Sequence, residues 1–295
     1  MKVFSNVIMV AGCAMLALFL FALGYYACSQ PITTEILSQG TSNYEDSPYS
    51  LDDLNSLAVA SRDYTVDPRP DGTTEEDARA QFNETLMTAA SSSATHYLNN
   101  SATASTEDTA TSKKALWDEL MTGIDQTRPA DAFAKTGAEA NTLATQMANV
   151  SESFALSEDA FSHLDDCNKL INGIVPFTKA AGIGALICLL ILLICRQWRN
   201  LARVLSVAPL ILIACFAFMG TWAFIDFSSF FAAFHGIFFP QGNWTFSADS
   251  LLICMYPTGF WMGMGALWLI TTALASVIVL IIGRHVSEFA DKKGQ

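Results

Sequence analysis

Two histidines stand out as groups able to move a proton near neutrality: His163, in the acidic run HLDDC, and His235, in the apolar run FFAAFHGIFF. Asp166 follows His163 by three residues, which places both on one helical face, where a carboxylate can orient an imidazole and stabilise its charged form. One histidine in such a setting is ordinarily incidental. Two on a common side, one with a carboxylate neighbour, raise a catalytic pair as an alternative to that plain reading. Asn243 is a candidate supporting residue beside its plainer role in a turn, and Phe231, Phe234, Phe238 and Trp244 are candidate walls of a site that admits a lipid, beside the plainer role of an aromatic belt. A metal site would need a third ligand, for which Asp165 and Cys167 are the nearest guesses, and no metal or other cofactor is expected.

The elements that must position these groups are membrane helices. Of the 295 residues 52% are hydrophobic and 15% charged, and the mean hydropathy is +0.33. The apolar residues are concentrated in four runs without charge, at 8–26, 180–195, 204–225 and 260–282. Each approaches or exceeds the length that a helix rising 1.5 Å per residue needs to cross a hydrocarbon core of ~30 Å. The expected fold is therefore an all-α membrane protein of four transmembrane helices, with a mostly helical extracytoplasmic insertion between the first and second. By residue, 1–28 form the N-terminus and first span, 29–176 the acidic outer segment, and 177–198 the second span. Residues 199–225 hold a basic link and the third span, 226–259 an aromatic interfacial loop, 260–282 the fourth span, and 283–295 a tail.

Charge sets the expected orientation. Lys2 precedes the first run, Arg196, Arg199 and Arg203 link the second to the third, and Arg284, Lys292 and Lys293 follow the fourth. Residues 226–259 contain no Lys or Arg, so the positive-inside rule places both termini in the cytoplasm and both candidate histidines outside. Residues 29–176 carry 24 Asp or Glu against 8 Lys or Arg, which accounts for the formal charge of −12. Such a surface argues against nucleic acid as a partner and against charge-driven binding to anionic headgroups.

Val10-Ala11-Gly12-Cys13 imitates a lipoprotein cleavage box, but the apolar run continues well past Cys13, and an uncleaved first helix is expected. Four of the seven cysteines lie inside the predicted spans as small apolar fillers, and a bridge between Cys28 and Cys167 is conceivable but untested by spacing. Within the outer segment, Leu51, Leu54, Leu57 and Ala58 mark a short amphipathic helix. Residues 91–112, rich in Ser, Thr, Ala and Asn, read as a linker with too little to bury. Residues 115–149 read as two short helices too thin for an independent core. Ser157 reads as the N-cap of a helix stopping near Asn172-Gly173, with Pro176 opening the approach to the second span. Phe227, Phe230, Phe231 and Phe234 follow a helical pattern at the membrane surface, whose plainer reading is an aromatic belt, and Pro240 to Asn243 form a turn.

Four segments carry a resemblance: RDYTV at 62–66, HLDDC at 163–167, FHGIFFPQGNWTF at 234–246 and SLLICMYPTGFW at 250–261. In order and spacing the chain resembles a bacterial family of four-helix membrane proteins, the lipoprotein intramolecular transacylases (Lit), outside a stretch at 67–149 read as an insertion. The resemblance implies an acyltransferase that moves an acyl chain from a diacylglyceryl-cysteine to that residue's own α-amino group. It implies membrane phospholipid and diacylated lipoprotein N-termini as partners, and two required outward histidines matching His163 and His235; for that reaction one ring would accept the proton of the amine, the second ring or Asn243 would support the oxyanion, and Trp244 would line the acyl path. Cys167 stands where the family pattern has an aliphatic residue, and with the acidic insertion it marks a distant branch.

Two other classes remain open: a scaffold displaying its acidic segment, for which the histidines would be dispensable, and an ester hydrolase, which would release free fatty acid. A channel or transporter fits less well, because the spans lack charge and, apart from Pro209, helix breakers. The orientation is checked by reporter fusions. One after Gln295 or between Arg196 and Arg203 should report cytoplasm and one near Ser105 the outside; an exported C-terminal reporter would remove the common side of the two histidines.

Overall fold

The computed structural model describes residues 2–99, 107–126 and 128–293, and the regular elements among them are all α-helices. In chain order these are α1 (Lys2–Cys28), α2 (Pro31–Thr41), α3 (Leu51–Val66), α4 (Glu75–Asn99), α5 (Glu107–Gly123), α6 (Pro129–Ala132), α7 (Gly137–Val150), α8 (Glu158–Ile194), α9 (Trp198–Ile225), α10 (Phe227–Phe238), α11 (Leu251–Met255) and α12 (Thr258–Lys292). Helices α1, α8, α9 and α12 are long and apolar enough to cross a membrane. The protein is a multi-pass membrane protein. Its residues group into two compact units: 1–28 with 173–234 and 264–295, and 29–172 with 235–263.

The first unit holds the apolar spans. Leu16 and Leu20 of α1, Ala185 and Leu192 of α8, and Val204 and Ala208 of α9 form its buried core. Small residues permit the close approach, because helices in lipid gain little from apolar burial and depend on contact. A methyl group on Gly24 would stand 2.0 Å from the Trp268 indole, whose Nε1 donates to the Phe21 carbonyl at 2.9 Å. Large apolar side chains such as Phe224, Phe218 and Ile194 are exposed, as a lipid-facing surface requires.

The second unit is built around the fully buried Trp117, Tyr49, Phe154, Leu54, Leu57, Leu86 and Leu120. Its core draws on α3, α4 and α5 and on the chain before α8 together. No one of these would suffice alone. Ser50 caps α3 by accepting from the Asp53 amide at 3.1 Å, with Asp52 and Asp53 in the first turn where carboxylates suit the helix dipole. Trp117 Nε1 donates to the Pro48 carbonyl at 2.9 Å, which satisfies the indole inside the core.

Two segments differ from their sequence reading. Over residues 91–99 the expected linker is the last part of α4, and 107–112 begin α5; residues 100–106 lie outside the described residues. Ser93 and Ala94 are fully buried, and Ser93 Oγ donates to Asp53 Oδ2 at 2.6 Å while accepting from the Ser50 amide at 2.9 Å. Small size is here the means of packing, since it lets α4 approach the start of α3. The second difference is α8. Ser157 caps it as expected, accepting from the Ala160 amide at 3.4 Å, but the helix runs on through Gly173 and Pro176. Proline removes one helical hydrogen bond. Neighbouring side chains reinforce the adjoining turns: Thr178 Oγ1 donates to the Val175 carbonyl at 2.8 Å and Asn172 Nδ2 to the Asn168 carbonyl at 3.1 Å.

The first turns of α8 are fixed by charge. Asp165 is 3% exposed and accepts from Tyr64 Oη and Arg69 through Oδ1 and from Arg79 through Oδ2 at 3.2 Å. Burial alone would push its carboxyl up, but these three donors together hold it below the usual carboxylate range. Asn168, one turn on, donates to the carbonyls of Tyr64, Thr65 and Asp67 at 3.0–3.2 Å, closing the exposed end of α3. Removing one member of a buried ion pair strands the others. Asp165→Ala should therefore lower the unfolding free energy by about 3 kcal/mol, read as a fall in thermal midpoint in detergent; an unchanged midpoint would show that the cluster does not hold α8.

Candidate active site

The candidate site lies within the second unit, between the first turns of α8 and the chain from His235 to Phe246. Helix α10 ends as the Phe239 amide donates to the His235 carbonyl at 2.7 Å, and the Gly242 amide then donates to the Phe239 carbonyl at 3.2 Å. Gly242 has φ +81°, a left-handed conformation that glycine adopts without strain. This turn sends Asn243 and Trp244 back beside the histidines.

His163 and His235 are each 7% exposed, with ring centroids 5.9 Å apart. Phe239 lies against both, 4.8 Å from His163 and 5.8 Å from His235, while Trp244 sits 5.0 Å from His235 and Phe246 6.0 Å from His163. The charged residues Glu158, Asp159, Asp165, Asp166 and Lys169 keep these turns of α8 outside the apolar run that begins at residue 180. Burial pushes His163 down to about 4, His235 beside it adds to that shift, and the charge of Asp166 opposes it. His163 is neutral at pH 7 as a result. The expected influence of Asp166 is present in direction and outweighed by desolvation.

Asp166 also has other partners. Its Oδ2 accepts from Gln241 Nε2 at 2.8 Å and from Asn243 Nδ2 at 3.1 Å, so the carboxylate orients the turn instead of the imidazole. Asn243 Nδ2 further donates to Ser162 Oγ at 3.4 Å, which leaves its amide hydrogens engaged and unsuited to the oxyanion role expected from sequence. The His163 ring instead meets Cys167, with Sγ 3.6 Å from Nε2. Burial, aided by Asp166, pushes that thiol up to about 12, so it is protonated and meets Nε2 as donor or as acceptor according to the imidazole tautomer. A neutral imidazole that accepts at Nε2 carries its hydrogen on Nδ1, and Nδ1 is buried without a partner among the described residues.

Of the expected acyl-chain residues, Trp244 lies against His235, and Phe238 is exposed on the same unit. Phe231 and Phe234 fall in the other unit, where Phe231 packs against Phe227 at 5.8 Å. Sequence alone places Gln241 in a turn and Phe246 at the interface, and does not single out either of them, or Phe239, as a site residue. Only the turn residues at 240–243 hinted at Gln241, whereas the two phenylalanines were indistinguishable from their aromatic neighbours. Cys28 and Cys167 are free thiols, and no group of three or more His, Cys, Asp or Glu among the described residues is arranged to hold a metal ion.

No curated protein and no solved structure matches the chain. A family model does: that of the lipoprotein intramolecular transacylase Lit, over residues 83–261. The match begins inside the stretch read as an insertion and leaves out RDYTV at 62–66, so its bounds take in α5 to α7 and most of α4. It covers more than half of the chain and both buried histidines, along with the turn that joins them to Asp166. The chain belongs to the lipoprotein intramolecular transacylase family.

Proposed function

We propose that this protein transfers an acyl chain from the glycerol ester of a diacylglyceryl-cysteine to the α-amine of the same cysteine, at the outer leaflet, with both termini in the cytoplasm. The observation that carries the reading is the pair of buried histidines with ring centroids 5.9 Å apart in an aromatic enclosure. The attacking nitrogen forms the amide bond as the ester C–O bond breaks. His235 accepts the proton released by the nitrogen and returns it to the departing glyceryl oxygen. In the tautomer that accepts from Cys167 at Nε2, His163 donates its Nδ1 hydrogen to the carbonyl oxygen, where negative charge collects in the tetrahedral intermediate. Conversion of ester to amide is downhill, so the reaction needs no nucleotide, and the α-amine with its reference pKa of about 7.7–8.0 is readily deprotonated. The aromatic rings of Phe239 and Trp244 exclude water that would otherwise compete with the amine.

Purified protein should convert a synthetic diacylglyceryl-cysteinyl peptide to its N-acyl monoacylglyceryl form, resolved by mass spectrometry. His163→Ala and His235→Ala should each lower that rate by about a hundredfold or more, while His96→Ala and His285→Ala leave it unchanged. Well-folded variants that both keep the parent rate would exclude the pair, and a parent that releases only fatty acid would be a hydrolase.

The low pKa of His163 also sets a stability dependence. The unfolded imidazole takes up its proton near 6.5 and the folded one only near 4, so the unfolded state binds more protons between those values. Stability is full above pH 6.5 and drains as pH falls towards 4. His163→Gln, which cannot titrate, should show a smaller loss of thermal midpoint between pH 7 and 4.5 than the parent; equal losses would mean that the ring is not buried neutral.

A further inference from the structure

Asn243 is held in one orientation by its neighbours. A carboxylate only accepts hydrogen bonds, so the Asn243 atom 3.1 Å from Asp166 Oδ2 must be the nitrogen, and the amide cannot be turned over without setting two oxygens against each other. With Nδ2 directed at Asp166 and Ser162, the carbonyl Oδ1 is the atom left over, and it is buried with no donor among the described residues. An acceptor kept from water and left unpaired costs stability, and it marks a place where a donor belongs. Gln241 binds the same Asp166 oxygen at 2.8 Å and fixes the carboxylate from the solvent side. The next residue, Trp244, packs on His235, and Ser162 immediately precedes His163, so Asn243 is anchored between a neighbour of each histidine.

We propose that Asn243 Oδ1 accepts a hydrogen bond from the α-amine of the lipidated cysteine, making Asn243 a substrate-recognition residue that selects a free N-terminus. The inference rests on the transacylase reading and adds to it the group that holds the nucleophile. A primary amine in its attacking, neutral form has two N–H bonds and one lone pair. One hydrogen goes to His235 during the reaction, the second is held by Asn243 Oδ1, and the lone pair is thereby directed at the ester carbonyl. Water could use the same oxygen but lacks the chain that tethers the amine to the ester.

The test separates binding from chemistry. Two non-reactive ligands are compared on the full-length protein in nanodiscs: a dialkylglyceryl ether of a cysteinyl peptide with a free α-amine, and its deamino counterpart with hydrogen in place of that amine. The parent should bind the amine form about tenfold or more tightly, and Asn243→Ala should lose most of that preference while Gln241→Ala keeps it. Asp166→Asn, which preserves Asn243 but removes the carboxylate that orients it, should lose part of the preference and serves if Asn243→Ala does not fold. Equal binding of the two ligands by the parent, or full preference in Asn243→Ala, overturns the inference. A parent that acylates the diester peptide yet shows no preference refutes this recognition role alone. One that fails to acylate it refutes the transacylase reading, and this role with it.

Discussion

The buried carboxylate of Asp165 is the constraint on which the site depends. Its three donors come from α3, from the segment after it and from α4, so one ion cluster ties α8 to the body of the second unit. It also sets the rotation of α8. At 100° per residue, positions 161, 165 and 168 share one face, and His163 lies about 160° from Asp165 on the opposite one. Cys167 shares that opposite face, and Asp166 with Ser162 flanks it. Had the cluster formed one residue earlier or later, the histidine would turn away from the aromatic turn. Burying a charge is costly unless its partners are complete, and here Tyr64, Arg69 and Arg79 complete them while Arg79 also reaches Glu158 at 2.8 Å.

The spans and the histidine pair were legible because their signals are local. A charge-free run is a property of consecutive residues, and a histidine in an apolar loop is visible wherever it packs. The partners of Asp166 were not legible, because the spacing that suggested His163 says nothing of Gln241 and Asn243, which arrive from 75 and 77 residues away. Ser93 and Ala94 were read as entropy without burial, although their small size is what permits burial between α3 and α4. From its neighbours in sequence Asp165 reads only as a guessed metal ligand. Its arginines lie 96 and 86 residues earlier, beyond any short-range pattern.

Burial favours the neutral forms of the two groups that touch on this face of α8. Burial holds His163 deprotonated, and the same burial keeps the Cys167 thiol protonated, so the two meet as donor and acceptor without net charge. Nδ1 of His163 and Oδ1 of Asn243 are both without a hydrogen-bond partner among the described residues. A site so arranged is complementary to a polar group that can pair with these atoms. It gains its full set of hydrogen bonds when such a group enters, which lets binding offset the strain of holding buried polar atoms bare.

Cys167 has a further consequence. A thiol pushed up to about 12 is ionised at neutral pH only to the order of one part in 10⁵, and the thiolate is the form that attacks disulfides and is consumed by peroxides. The sulfur beside His163 is therefore chemically quiet for the same reason that the histidine is neutral, namely its removal from water. Opening the aromatic cover would end both conditions together, so tight closure around the rings also gives this cysteine durability against oxidants.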